Sequence, residues 1–187
     1  NLHIGDSENC SKELFVEGQI MKETELYETY LGDVISKDGT NTENLIQRQN
    51  KGNGIINQVM TLLKELSLGK HYISMGLLFR DTNLINGILY NSESWYGITS
   101  NDVDMFENLD LQFMRKLFNA SVKTPKEFFY IETGKIPIRI IIQVRRFMFW
   151  WHINNLEETS LVKKCYNGQR LKPVKKDWVH TINKDKK

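Results

Sequence analysis

From Thr42 to about Leu68 one spacing dominates the chain. Leu45, Gln49, Gly52, Ile56, Val59, Leu63 and Leu66 fall at alternating steps of four and three. A strand shows a step of two, so this pattern predicts a helix of more than twenty residues with one apolar stripe. Gln49 and Gly52 interrupt the stripe, and Gly69 is placed to stop it. Such a helix must bury its stripe against neighbours, and the sequence offers several.

Helical patterns follow from about Tyr72 to Trp95, with a break expected near Arg80 to Thr82, and from Asn101 to Phe118. In the latter, Val103, Phe106, Asp110, Phe113 and Leu117 share a face, and Thr99 or Ser100 can cap it. Asp102, Asp104 and Glu107 near its start, and Arg115 and Lys116 near its end, suit the helix dipole. Thr124, Pro125 and Glu127 read as N-cap, first-turn proline and capping-box acid of a short helix ending at Gly134. Pro137 opens a further helix to about Asn155, apolar nearly all round and so destined for the core or an interface. Ser160 to Leu171 is helical, with Pro173 as its stop, and fraying is expected beyond Trp178.

The first 36 residues differ. Leu14 to Val16 and Gln19 to Met21 read as one hairpin; Leu26 to Leu31 reads as a further strand, and Gly32, then Val34 and Ile35, then Asp38 and Gly39 suggest a second hairpin or a strand-to-helix turn. The fold class is therefore α+β, mainly α. The expected organisation is a hairpin region over 1–39, a helical bundle over 40–121, a basic helical connector over 122–172 and a basic frayed tail over 173–187.

Charge is unevenly divided. The net is only +2, yet residues 1–134 hold 12 Lys+Arg against 19 Asp+Glu, and residues 135–187 hold 13 against 4. The final third has the footprint of a polyanion binder, or else of a solvated tail. No run reaches the roughly 18 apolar residues of a membrane span. Two cysteines, Cys10 and Cys165, make neither a disulfide scaffold nor a zinc site, which favours a reducing, intracellular setting. The start at Asn1, without Met or a signal-like segment, leads us to expect a piece of a longer protein.

Most catalytic signatures are missing. Gly52, Gly54 and Asn57 fall where a dinucleotide-binding loop would put three glycines, but the third is absent and the segment is helical. His3, His71, His152 and His180 have no ligand partners at metal spacing. Asp102 and Asp104 read as helix-start residues rather than a metal pair. No catalytic or metal site is assigned.

A second face of the long helix carries Gln47, Lys51, Gly54, Gln58 and Thr61, with Arg48, Asn50, Asn53 and Asn57 beside it. Small and amide side chains let a helix approach a duplex closely. An interior glycine costs a helix about 1 kcal/mol relative to alanine, so Gly52 and Gly54 call for a reason. A tight helix crossing is the other explanation. Further on, Arg139, Arg145 and Arg146 interleave with Phe147, Phe149, Trp150 and Trp151, a mixture that suits phosphates and stacked bases. The alternative is a core helix whose arginines pair with acids such as Glu132. Adjacent on a helix, Arg145 and Arg146 cannot both be buried.

Tyr30-Leu31-Gly32, followed by Asp33-Val34-Ile35-Ser36 and Asp38-Gly39, resembles the primer-grip block of reverse transcriptases from non-LTR (LINE-type) retrotransposons. Leu2-His3-Ile4-Gly5 resembles the strand just after the last core motif of the palm. Leu84 to Trp95, ending Leu89-Tyr90-Asn91-Ser92-Glu93-Ser94-Trp95-Tyr96-Gly97, is similar to a block of that family's thumb. Ile136-Pro137-Ile138-Arg139 and the Arg145-Arg146 pair resemble a segment downstream of the thumb in elements with a C-terminal endonuclease. The resemblance implies a fragment of an RNA-directed DNA polymerase, running from the end of the palm through primer grip and thumb into the connector. It implies that Tyr30, Leu31 and Gly32 hold the primer end, and that Gln47, Arg48, Lys51, Gly54 and Gln58 track an RNA–DNA or DNA duplex. Arg139, Arg145 and Arg146 would hold template RNA or target DNA. The family's Mg²⁺ sits on paired palm aspartates. This chain has no Asp-Asp pair, so no cofactor and no polymerisation are expected of it alone. The missing palm, fingers and endonuclease would be its partners, without a membrane, and the nucleus its implied location.

The competing expectation is a helical protein-interaction or scaffold module that docks through residues 137–153. A decayed element copy without nucleic-acid function is a third.

Overall fold

The computed structural model describes residues 14–16, 19–21, 27–37, 39–172, 174 and 177–186. Leu2 to Gly5 and Cys10 lie outside them. The fold is α+β and mainly α: two hairpins followed by helices. The chain divides into two compact units, Asn1–Gln47 and Arg48–Lys187, and the division falls within the long helix.

In the first unit, β1 (Leu14–Val16) pairs antiparallel with β2 (Gln19–Met21), in the register Leu14 to Met21. β3 (Tyr27–Tyr30) pairs with β4 (Asp33–Ser36), Tyr30 opposite Asp33. Val34 and Ser36 are buried while Ile35 between them is exposed, the alternation of a one-sided strand. The β4 strand is tied to the first turn of α1 (Thr42–Glu65), where Val34 N–H donates to Asn44 Oδ1 at 3.5 Å.

In the second unit the α1 stripe is buried as its spacing requires. Ile56, Val59 and Leu63 are inside, joined by Met60, whereas Leu66 lies past the helix end and is exposed. α2 (Tyr72–Phe79) runs into a π-helical turn, Arg80–Ile85, and a last α-turn, α3 (Asn86–Ile88). The irregularity falls where a break was expected. α4 (Ser100–Phe118) is closed by a capping box, Thr99 Oγ1 accepting from Asp102 N–H while Thr99 N–H donates to the Asp102 carboxylate at 2.7 Å. Val103, Phe106, Asp110, Phe113 and Leu117 are all buried along its predicted face.

α5 (Lys126–Thr133) starts one residue later than its motif predicts. Pro125 has ψ 145°, which is extended, so the proline itself is the N-cap and Thr124 makes no capping bond. Gly134, at φ 64°, ends the helix as expected. α6 (Ile138–Asn155) packs against α4, the turn at Ser92–Ser94, and the two helices after it, α7 (Leu161–Leu171) and α8 (Trp178–Asp185).

The frayed tail is corrected by α8. Trp178, Val179 and Ile182 are buried in one cluster with Ile153 and Tyr166. Asp177 caps the helix through His180 N–H at 2.6 Å. A short amphipathic helix with an acidic cap is stable once its apolar edge has a partner. Among the described residues, no helix is long and apolar enough to cross a membrane.

Candidate nucleic-acid interface

The second face of α1 is open to solvent. Lys51, Gly54, Gln58 and Thr61 are exposed, as are Asn50, Asn53 and Asn57 next to them. At 1.5 Å per residue, Lys51 to Thr61 covers roughly 15 Å of helix. The two glycines separate cleanly. A Cβ on Gly52 would lie 2.8 Å from Ile88 Cγ2 and 3.0 Å from Leu109 Cδ1, so Gly52 exists for a helix crossing. A Cβ on Gly54 would meet nothing within 4 Å. Packing gives no reason for Gly54, and what it leaves is a flat, side-chain-free patch on a polar surface.

A cation that sequence reasoning did not assign to this face joins its border. Lys116 of α4 donates to Asn57 Oδ1 at 3.2 Å. On sequence grounds Lys116 served only the α4 dipole; the crossing of α4 with α1 brings it here, and no local pattern reveals that.

Two members of the predicted set sit elsewhere. Gln47, in the first unit, is half-buried. Arg48 is 5% exposed; it donates to the Gly87 carbonyl at 3.4 Å, and its guanidinium lies 5.1 Å from the Tyr90 ring centroid. The expectation of a free duplex contact from Arg48 is therefore corrected. Position 48 is three after Leu45 and four before Gly52, which puts it on the buried stripe.

The basic connector is corrected in the same way. Arg146 is buried and pairs with Asp185 at 2.6 Å. Burial pulls its pKa below the usual arginine value, and Asp185 pulls it back up. Arg145, half-buried, donates to the Leu89 carbonyl and to Asn86 Oδ1, the latter at 3.4 Å. Arg139 pairs with Asp104 at 2.7 Å and approaches Glu107 at 3.9 Å. Arg139 and Arg146 do pair with acids, but with Asp104, Glu107 and Asp185 rather than Glu132, while Arg145 is held by a carbonyl and an amide. As adjacency demanded, only one of Arg145 and Arg146 goes fully inside. Of the interleaved aromatics, Phe147 and Trp151 are exposed, while Trp150 donates to the Tyr166 hydroxyl at 3.0 Å.

The tip of the second hairpin is a two-residue turn. Leu31 at φ 49° and Gly32 at φ 83° are both left-handed, as a I′ turn demands. Tyr30 and Leu31 are 64% and 74% exposed. Leucine seldom adopts this conformation, so an apolar side chain is presented to solvent at a conformational cost.

Among the described residues, no group of three or more His, Cys, Asp or Glu gathers as ligands for a metal ion. Compared with family models, with curated proteins and with solved structures, the chain matches none.

Proposed function

We propose that this chain is the primer-grip, thumb and connector part of a reverse transcriptase of the non-LTR retrotransposon kind, and that it grips a primer–template duplex. The observation that carries the reading is the open polar face of α1. Lysine, amides and a glycine that packing does not require lie along one side, with Lys116 at the border. Such a surface meets phosphates and sugar edges without sequence choice. The exposed tip at Tyr30, Leu31 and Gly32 would hold the primer terminus. Positioning to within about 1 Å is worth roughly 10²-fold in rate when the chemistry happens elsewhere. The palm, fingers and endonuclease of the same polyprotein, template RNA and a nuclear site of action belong to the same proposal.

The test is fluorescence anisotropy with a short RNA–DNA hybrid across a salt series. Affinity should fall steeply with salt, and Lys51→Glu or Lys116→Glu should lower both affinity and the salt slope, the latter by about one each. Absence of binding at low salt, or indifference to both charge reversals, would overturn the reading.

A second reading has its own observation. On α6, Ile140, Val144, Phe147, Met148 and Trp151 form an exposed apolar stripe at helical spacing. A protein-interaction module would present such a stripe. A defined, stoichiometric oligomer in light scattering, with no affinity for the hybrid, would favour it.

A further inference from the structure

Between the Asn86–Glu93 stretch and α6 lies a groove of about 600 Å³, within the usual size range of small-ligand sites. Tyr90 lines it with a ring that is 48% exposed. The Arg48 guanidinium, which is not part of the groove wall, sits 5.1 Å from the same ring centroid. A buried cation holding an exposed aromatic ring makes a fixed, flat platform.

Around the platform are groups of both hydrogen-bonding senses. Asn86 lines it with an amide engaged at both ends, its Nδ2 donating to the Thr82 carbonyl at 3.2 Å and its Oδ1 accepting from Arg145, and Glu93 brings a carboxylate. Arg145 is held in place by the Leu89 carbonyl and Asn86 Oδ1, which engages two of its five N–H donors. Met148 and Phe149 form an apolar floor. A lone carboxylate does not make a metal site. An aliphatic ligand would leave the Glu93 carboxylate and the remaining arginine donors unanswered. A flat heterocycle with donor and acceptor edges answers all of them.

We infer that this groove binds an unpaired nucleobase of a single strand. The base stacks on Tyr90, its hydrogen-bonding edge meets the Glu93 carboxylate, and Arg145 takes a base carbonyl or the adjoining phosphate. A base inside a duplex has its faces and edges already occupied, so the site selects single strands or flipped bases. It is separate from the α1 face and stands whether or not that face grips a duplex.

The test uses the whole chain and anisotropy with labelled single-stranded oligonucleotides, RNA and DNA, beside the RNA–DNA hybrid. Tyr90→Ala should weaken single-strand binding about tenfold, and Tyr90→Phe should keep it. Neither should move hybrid affinity more than about twofold, and Lys51→Glu should give the opposite split. Asn86→Asp, at an exposed position, turns the Arg145–Asn86 hydrogen bond into an ion pair that holds Arg145 back from the ligand, and should weaken single-strand binding even if Tyr90→Ala fails to fold. No single-strand binding by the wild-type chain, equal affinity for an oligonucleotide with abasic spacers, equal loss in Tyr90→Phe and Tyr90→Ala, or unchanged affinity in Asn86→Asp would each overturn the inference.

Discussion

Arg80 and Asp110 form a two-point ion pair in the interior, Nε to Oδ1 at 2.6 Å and NH2 to Oδ2 at 2.7 Å, with side chains 2% and 0% exposed. The pair joins the π-helical turn to α4. Arg80 also holds Asp81 at 2.8 Å and the Ile136 carbonyl at 3.3 Å, so the same guanidinium fixes the approach to α6. Burial draws the Arg80 pKa down, but bonding to Asp110 and Asp81 holds it above the ordinary value. Burial pushes the Asp110 carboxyl up against the pull of Arg80.

Removing one partner leaves the other charged and dry. Arg80→Met or Asp110→Leu alone should cost about 3–5 kcal/mol in urea unfolding. The double variant should cost clearly less than the two losses added together, because neither charge is then stranded. Additive losses would show that the pair is not an energetic unit.

Gly52 and Gly54 should respond to alanine with opposite signs. Gly54→Ala relieves the entropy that glycine loses in a helix and meets no neighbour, so it should stabilise by about 1 kcal/mol. Gly52→Ala pushes a methyl onto buried Ile88 and Leu109, and overpacking of about 1–3 kcal/mol outweighs the helix gain. Thermal melts of the two variants measure both signs. If the bare patch at Gly54 is there for close approach to a duplex, Gly54→Val should lower hybrid affinity while the fold persists.

The elements were legible where a local signal suffices. Thr99 and Asp102 announce the start of α4, and the four-and-three spacing around Ile56 and Leu63 announces α1 and its buried side. The α8 helix was missed because its stability is tertiary: Trp178 and Ile182 need Ile153 and Tyr166, and Asp185 needs Arg146, 39 residues away. The arginines of α6 were misread for the same reason. Pattern alone gives a guanidinium a face, but Asp104 and Asp185 decide whether it meets solvent. Arg48 is different: its place on the buried stripe can be counted from Leu45 and Gly52, and the spacing outweighs the charge. The exposed Lys51, Gly54 and Gln58 could be read because a polar face needs no partner to be polar.

Tyr130 should titrate late. Its ring is half-buried and its hydroxyl is shut off from water beside Asp110; burial, and then the charges of Asp110 and Glu107, raise its pKa well above the usual value of about 10. The folded state therefore favours the neutral phenol. That contribution is fully present below about pH 10 and is lost as pH rises toward the folded value, because the unfolded chain ionises first. Tyrosinate absorbance followed against pH should show one late fraction that appears together with unfolding. Tyr130→Phe should remove that fraction and soften the alkaline loss of stability. A Tyr130→Phe curve that overlays the wild type would refute the assignment.

The hairpin tip sets stability against grip. Leu31 holds φ 49° beside Gly32 at φ 83°, and Asn-Gly is the pair such a turn prefers. Asparagine tolerates the left-handed region far better than leucine does, so Leu31→Asn should stabilise the hairpin by about 1 kcal/mol. No core contact is lost, because the leucine is 74% exposed. If the turn existed only to reverse the chain, the variant should be better folded and unchanged in every other respect. If Leu31 holds a primer end, the same variant should gain melting temperature and lose affinity for a hybrid with a recessed 3′ end, while keeping affinity for a blunt one. Measuring both properties on one protein separates these cases, since a merely misfolded hairpin would lose stability as well.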